Sequence, residues 1–142
     1  MAAEQGGLAE EIERQVWAGY SEQTIDHARN PRNVGSIADA DGFASVDGSC
    51  GDNLEIWVKV RDGIIQEATF WTDGCATTVA AGSMITELAK GKPVGEALQV
   101  TERQVLEALG WLPEDSHHCV VLAVSTLRAA LANYLARRAP FE

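Results

Sequence analysis

Hydrophobic and polar positions divide the chain into a helical beginning, a strand-rich middle and a helical end. In residues 8–28, apolar side chains recur at helical spacing, with an interruption at Gly19. This pattern predicts two helical pieces, with Ser21 and Thr24 in position to cap the second.

Three strand candidates follow in the middle of the chain. Residues 43–47 form a short one, and residues 54–60 alternate apolar and polar side chains as a half-buried strand does. Residues 64–72 are rich in β-branched and aromatic side chains. The Asp62-Gly63 pair predicts a tight hairpin turn, so we expect the three strands to form an antiparallel meander.

Helix-forming residues take over from Cys75 onwards. Gly91 and Pro93 mark the end of the first helix here, because glycine favours the position after a helix and proline cannot continue one. Further helices are predicted at residues 94–98, 101–109 and 119–138, with Thr101 as an N-cap. Strands followed by helices indicate an α+β fold: a small antiparallel three-stranded sheet with helices packed on one face.

Composition and charge narrow the range of functions. The 142 residues are 46% hydrophobic and carry a formal net charge of −10, which suits one globular domain and offers no basic patch for nucleic acid. No stretch approaches the roughly 18 apolar residues of a membrane span, so no membrane partner is expected. The acidic first fifteen residues are unlike a signal or transit peptide, and we expect a cytoplasmic protein.

Three cysteines carry the candidate chemistry, and an odd number of thiols in a reducing compartment favours metal binding or catalysis over disulfides. Cys50 lies between the first two strands, with Asp52 two residues later. Cys75 precedes a helix, and Cys119 begins the last helix directly after His118, positions that lower the pKa of a thiol. Because hairpin neighbours share an end of the sheet, we expect the three sulfur atoms to meet there, in a site for zinc or an iron–sulfur cluster.

From Tyr20 to about Arg138 the chain resembles the IscU/NifU-type iron–sulfur cluster assembly scaffolds. The matching stretches are Tyr20-Ser21-Glu22, Ile25-Asp26-His27, Asn30-Pro31-Arg32-Asn33-Val34-Gly35, Cys50-Gly51-Asp52, Gly74-Cys75, Ser83, Thr86-Glu87, Lys90-Gly91-Lys92, Leu112-Pro113, His118-Cys119 and Leu122-Ala123. Every cysteine is in register with the family pattern.

The resemblance implies a SufE/NifU-like fold and a scaffold that assembles a [2Fe–2S] cluster and transfers it to apo iron–sulfur acceptor proteins. It implies that Cys50, Cys75 and Cys119 bind the cluster as thiolates, with Asp52 or His118 as an exchangeable fourth ligand. Cys119 would also accept sulfur, delivered as persulfide by a cysteine desulfurase, while iron and electrons come from other donors. Members of this family also bind Zn²⁺ at this site when isolated.

Two features depart from the family pattern. The loop before the last cysteine commonly carries a Leu-Pro-Pro-Val-Lys segment bound by an Hsp70-type chaperone, but here Leu112-Pro113 continues as Glu114-Asp115-Ser116, which weakens the expectation of that partner. We expect residues 1–19 to form an N-terminal helical extension to the scaffold domain, residues 20–142. The extension could cover an apolar face or support a homo-oligomer through Val16 and Trp17.

Two other functions fit the same residues. One is a zinc-bound, SufU-like sulfur acceptor that holds no cluster during its work, although that subgroup typically lacks a histidine before the last cysteine, and this chain has His118. The other is a structural zinc module that serves protein contacts. An enzyme is not expected, because the chain has no Ser–His–Asp set, no P-loop and no Rossmann glycine motif.

Overall fold

The computed structural model describes Leu8, Glu11 and residues 17–138. Its regular elements are α1 (Glu22–Arg29), β1 (Gly42–Asp47), β2 (Asn53–Arg61), β3 (Ile64–Thr72), α2 (Ala76–Ala89), α3 (Val94–Ala97), α4 (Glu102–Ala108), a 3-10 turn (Glu114–Ser116) and α5 (His117–Arg138). The α+β order predicted from the sequence is confirmed.

The three strands form one antiparallel sheet in the order β1-β2-β3. Between β2 and β3, Asp62 and Gly63 both have positive φ (54° and 76°), the conformation that a two-residue hairpin turn requires. Burial alternates along β2, where Leu54, Ile56 and Val58 are fully buried. One face of the sheet therefore lines the core.

Two long helices cover that face. Helix α5 packs against β1 and β2, while α2 packs against β3 and α1. Gly82 of α2 allows close approach to the sheet, because a Cβ at this position would lie 2.6 Å from the ring of Phe70. The predicted arrangement of helices on one side of a small sheet is confirmed.

Local signals mark the beginnings of α1 and α4 and the end of α2. Ser21 accepts a hydrogen bond from the backbone N–H of Thr24, and Thr101 forms a capping box with Gln104. Gly91 has a φ of 86° just beyond α2, as expected of a residue that ends a helix. The first of the two predicted N-terminal helical pieces lies largely outside the described residues.

The last helix begins earlier than the sequence predicts. It begins at His117, so Cys119 is its third residue and not its first. By length and composition alone, Glu114–Arg138 is long and apolar enough to cross a membrane. Half of its most apolar stretch is buried inside the fold, as in the core helix of a soluble protein.

Candidate functional site

Three separate segments bring the cysteines to one end of the sheet. Cys50 lies in the β1–β2 connection, Cys75 at the N-cap of α2 directly after β3, and Cys119 in the first turn of α5. Strand register explains the positions of Cys50 and Cys75, because the pairs Asp47–Asn53 of β1–β2 and Leu54–Thr72 of β2–β3 lie at this same end of the sheet. Helix α5 packs along β1 and brings Cys119 to the same place.

The buried hydroxyl of Thr78 lies among the side chains of this end. It donates to Asp52 Oδ2 at 2.8 Å and is within donating distance of Cys119 Sγ at 3.3 Å. Cys75 Sγ lies 3.8 Å from Thr78 Oγ1. Thr78 is on the first turn of α2, three residues after Cys75, which places both on one helix face.

Asp52 connects the remaining cysteine to this group. The Cys50 thiol donates to Asp52 Oδ1 at 2.9 Å. This hydrogen bond lowers the pKa of Asp52; burial raises it, and the hydroxyl of Thr78 lowers it further, so the carboxylate form is favoured overall. Glycines make room for the carboxylate, since a Cβ at Gly48 or Gly74 would lie 2.6 or 2.8 Å from its oxygen atoms.

The three thiols differ in protonation. The hydrogen bond to Asp52 raises the pKa of Cys50, and the carboxylate charge acts in the same direction. Burial raises the pKa of Cys75, but the N–H and hydroxyl groups of Thr78 and Thr77 lower it more, so its pKa falls below the usual value. Burial raises the pKa of Cys119 to about 11. The helix N-terminus therefore favours a thiolate at Cys75, as predicted, but not at Cys119, where burial dominates.

His118 completes the group, with its Nε2 3.5 Å from Cys119 Sγ. We call Cys50, Asp52, Cys75, Thr78, His118 and Cys119 the cysteine site. Among the described residues, no three His, Cys, Asp or Glu side chains are already arranged to hold a metal ion. The donor atoms are instead joined to one another by hydrogen bonds, so binding an ion would need these side chains to turn towards a common point.

Two polar residues near the cysteine site, Asp73 and His117, form hydrogen bonds to the backbone. Asp73 accepts a hydrogen bond from the backbone N–H of Asn53 at 2.8 Å and so fixes the β1–β2 connection. His117 Nε2 bonds to the carbonyl of Leu112 at 3.0 Å and its ring packs edge-on against Trp111. The sequence analysis did not identify Thr78, although its place one turn after Cys75 in a helix was a usable signal.

A family comparison agrees with this architecture. The model of the NifU-like N-terminal domain matches residues 19–140. A scaffold protein named IscU 1 from Archaeoglobus fulgidus is 46% identical over 124 residues, covering 87% of this chain and 81% of its own. The IscU scaffold protein of Escherichia coli is 42% identical over 124 residues, covering 84% of this chain and 96% of its own.

Solved structures share the fold at low sequence identity. The N-terminal part of a NifU-like protein from Brucella abortus has a TM-score of 0.71 at 16% identity, covering 86% of this chain and 98% of its own. A Fervidobacterium islandicum protein described as a scaffold for the SUF system has a TM-score of 0.67 at 22% identity, covering 81% and 98%. By its family match and its relatives, this chain belongs to the IscU/NifU-type iron–sulfur cluster assembly scaffolds.

Proposed function

We propose that this chain assembles a [2Fe–2S] cluster on the cysteine site and transfers it to acceptor proteins. Cys50, Cys75 and Cys119 supply three thiolate ligands, and Asp52 or His118 supplies the fourth. The domain that does this is residues 20–142. The observation that carries the proposal is that three sulfur atoms, one carboxylate and one imidazole, from three segments, are joined by short polar contacts at one end of the sheet.

The ligand set suits temporary binding. A site of four thiolates holds a cluster tightly, whereas one oxygen or imidazole ligand gives a weaker bond that an acceptor can replace. Asp52 is suited to this role because its carboxylate form is favoured and each oxygen atom accepts one hydrogen bond that iron could displace. During transfer, iron–ligand bonds to this chain break as bonds to acceptor ligands form, with no change in oxidation state.

Cys119 is the proposed sulfur acceptor. Its thiolate attacks the outer sulfur atom of the desulfurase persulfide, a new S–S bond forms on Cys119, and the desulfurase cysteine leaves as a thiolate. The thiol is only 1% exposed and its pKa is raised to about 11 by burial, so the reaction needs a proton acceptor and an opening of the site. His118 Nε2, 3.5 Å from the sulfur atom, is placed to take the proton.

The proposal assigns partners by chemistry. A cysteine desulfurase delivers sulfur, separate donors deliver iron and electrons, and apo iron–sulfur proteins receive the cluster. Chaperone recognition through the loop before α5 is not part of the proposal, because Glu114 and Asp115 are exposed there and make this stretch acidic. The chain is a scaffold and not an enzyme, in keeping with the names of its relatives.

Anaerobic reconstitution tests the proposal. The purified chain is incubated with iron, sulfide and thiol, and the visible spectrum, iron content and sulfide content are measured. We expect a brown protein with two iron atoms and two sulfides per site, as the [2Fe–2S] formula requires. Transfer is then measured as loss of cluster from this chain with simultaneous activation of an apo-ferredoxin. A colourless protein that keeps Zn²⁺ and still takes sulfur from persulfide would favour the SufU-like function instead.

A further inference from the structure

The hydroxyl of Thr78 differs in its acceptor from the hydroxyls of two other buried helix threonines, Thr86 and Thr126. In α2 and α5, Thr86 and Thr126 bond to the carbonyl groups of Gly82 and Leu122, four residues earlier. This is the usual partner of a threonine inside a helix. Thr78 is equally buried, at 0% exposure, yet its hydroxyl contacts the side chains of Asp52 and Cys119, which belong to other segments.

A hydroxyl has one hydrogen to donate, and three acceptors lie within reach of it: Asp52 Oδ2, Cys119 Sγ and, at the longest distance of 3.8 Å, Cys75 Sγ. Asp52 Oδ2 is 2.8 Å away and belongs to a carboxylate, whereas Cys119 Sγ is 3.3 Å away and belongs to a thiol. Hydrogen bonds to a charged oxygen atom are shorter and roughly twice as strong as those between neutral groups. The hydrogen therefore goes to Asp52.

That bond joins the Asp52 carboxylate to a side chain of another segment. Asp52 follows Gly51, which has a φ of 88°, in a connection whose cysteine is exposed. Its only bonds to other side chains in the described structure come from Cys50, in the same connection, and from Thr78, on α2. In the described structure, Thr78 is thus the side chain outside the β1–β2 connection that holds Asp52 by a hydrogen bond.

We propose that Thr78 is a positioning residue, which holds Asp52 beside Cys119 so that the carboxylate and the thiols can bind metal together. This inference rests on the proposed function, because it treats Asp52 as a ligand. Residues that orient metal ligands through hydrogen bonds typically change metal affinity by about 10–100-fold when they are replaced.

Two substitutions of Thr78 separate its hydroxyl from its shape. Thr78→Val keeps the branched shape but removes the donor, and Thr78→Ser keeps the donor but removes a methyl group. Co²⁺ is the probe, because thiolate-to-cobalt absorbance reports binding without cluster assembly. We expect Thr78→Val to bind Co²⁺ at least about tenfold more weakly than wild type. Thr78→Ser should stay within about threefold of wild type, which a purely steric role of the methyl group would not allow.

A double-mutant cycle tests whether the effect passes through Asp52. In an Asp52→Ala background, we expect Thr78→Val to change Co²⁺ affinity by less than about twofold, because the group that it positions is gone. Thermal melting of each metal-free variant confirms that it is folded. The inference is overturned if Thr78→Val binds Co²⁺ like wild type, if Thr78→Ser does not restore binding, or if the loss persists without Asp52.

These outcomes are distinct from failure of the proposed function. If wild type itself gives no thiolate-to-cobalt absorbance, the cysteine site is not a metal site, and both the proposed function and the role of Thr78 fall. If wild type assembles and transfers a cluster while Thr78→Val matches it in Co²⁺ affinity, only the role of Thr78 falls.

Discussion

Helix α2 takes part in two polar networks that differ in what their hydroxyl groups bond to. At its beginning, Thr78 bonds within the cysteine site. One and a half turns later, Ser83 accepts a hydrogen bond from the backbone N–H of Arg32 and bonds to His27 Nδ1 at 2.7 Å. Thr86 accepts from the side chain of Asn33 and donates to helix carbonyl groups. We call His27, Arg32, Asn33, Ser83 and Thr86 the Ser83 network.

The difference indicates that the Ser83 network is a structural contact and that the cysteine site is a binding site. In the Ser83 network, two fully buried hydroxyl groups bond to backbone groups, an imidazole and an amide, and so hold α1 and the following loop against α2. In the cysteine site, the partners are thiols and a carboxylate that have metal-binding chemistry, and two of the three cysteines are exposed. The first network should therefore control stability, and the second should control binding.

The largest expected effect is a difference in reactivity among the cysteines. In metal-free protein at neutral pH, alkylation of Cys75 should be at least about a hundredfold faster than that of Cys119, since each pKa unit changes the thiolate fraction about tenfold. The pKa of Cys75 is lowered, while burial raises that of Cys119 to about 11 and also limits access. Mass spectrometry of iodoacetamide-treated peptides over time measures the order.

Raising the pH sharpens the same experiment. The Cys119 thiolate becomes abundant only as the pH approaches about 11, so its alkylation should still be increasing well after that of Cys75 has levelled off. Alkylation of Cys50 should need a higher pH than that of Cys75, because the hydrogen bond to Asp52 raises the pKa of Cys50. Equal rates for Cys75 and Cys119 at neutral pH would contradict the structure of the cysteine site as described.

The second prediction concerns release. Asp52→Ala should retain a reconstituted cluster longer and transfer it to an apo-ferredoxin about tenfold more slowly, because the iron–oxygen bond that an acceptor displaces is lost; this is an effect on the rate of exchange and not on metal affinity. Circular dichroism or absorbance of the acceptor follows the transfer. Asp115→Ala is a matched control, since Asp115 is an exposed carboxylate in the loop before α5. Transfer from Asp52→Ala at the wild-type rate would rule out Asp52 as the labile ligand.

The third prediction concerns the Ser83 network. Ser83→Ala should lower the free energy of unfolding by about 1–3 kcal/mol, because the N–H of Arg32 loses its acceptor in a buried environment. Co²⁺ affinity at the cysteine site should stay at the wild-type value. Urea unfolding measures the first quantity, and Ser125→Ala, an exposed change on α5, is the control. A large loss of Co²⁺ affinity without loss of stability would reverse the assignment of the two networks.

Local patterns predicted most of the fold because they act over a few residues. The alternation in β2, the Asp62-Gly63 turn and the Thr101 cap each depend on neighbours in sequence, and all three were confirmed. The start of α5 was placed two residues late, because the Glu114–Ser116 turn leads directly into it.

The cysteine site was predicted in part, for a similar reason. The meeting of the cysteines at one end followed from strand order, which the sequence indicates. The protonation of Cys119 did not follow, because its burial depends on packing between α5 and the sheet. Thr78 was missed because its bond to Asp52, 26 positions away in the chain, has no local signature; the usable signal, its place one helical turn after Cys75, indicates only that it faces that cysteine.

The smallest expected effect is a pH dependence in the Ser83 network. The Ser83 hydroxyl accepts from Arg32, and among the described residues His27 Nδ1 is its remaining partner, so Ser83 donates to a neutral imidazole. Burial lowers the pKa of His27 from 6.5, and the charge of Arg32 lowers it further, so the unfolded chain binds a proton more readily. The contribution of His27 to the free energy of unfolding is therefore complete above pH 6.5 and falls as the pH drops towards the folded pKa.

The substitution His27→Asn tests this pH dependence. Because Asn offers an acceptor near the position of Nδ1 but does not titrate, His27→Asn should abolish this part of the pH dependence. Urea unfolding of both proteins between pH 5 and pH 8 measures it, and parallel curves would show that His27 is not the titrating group.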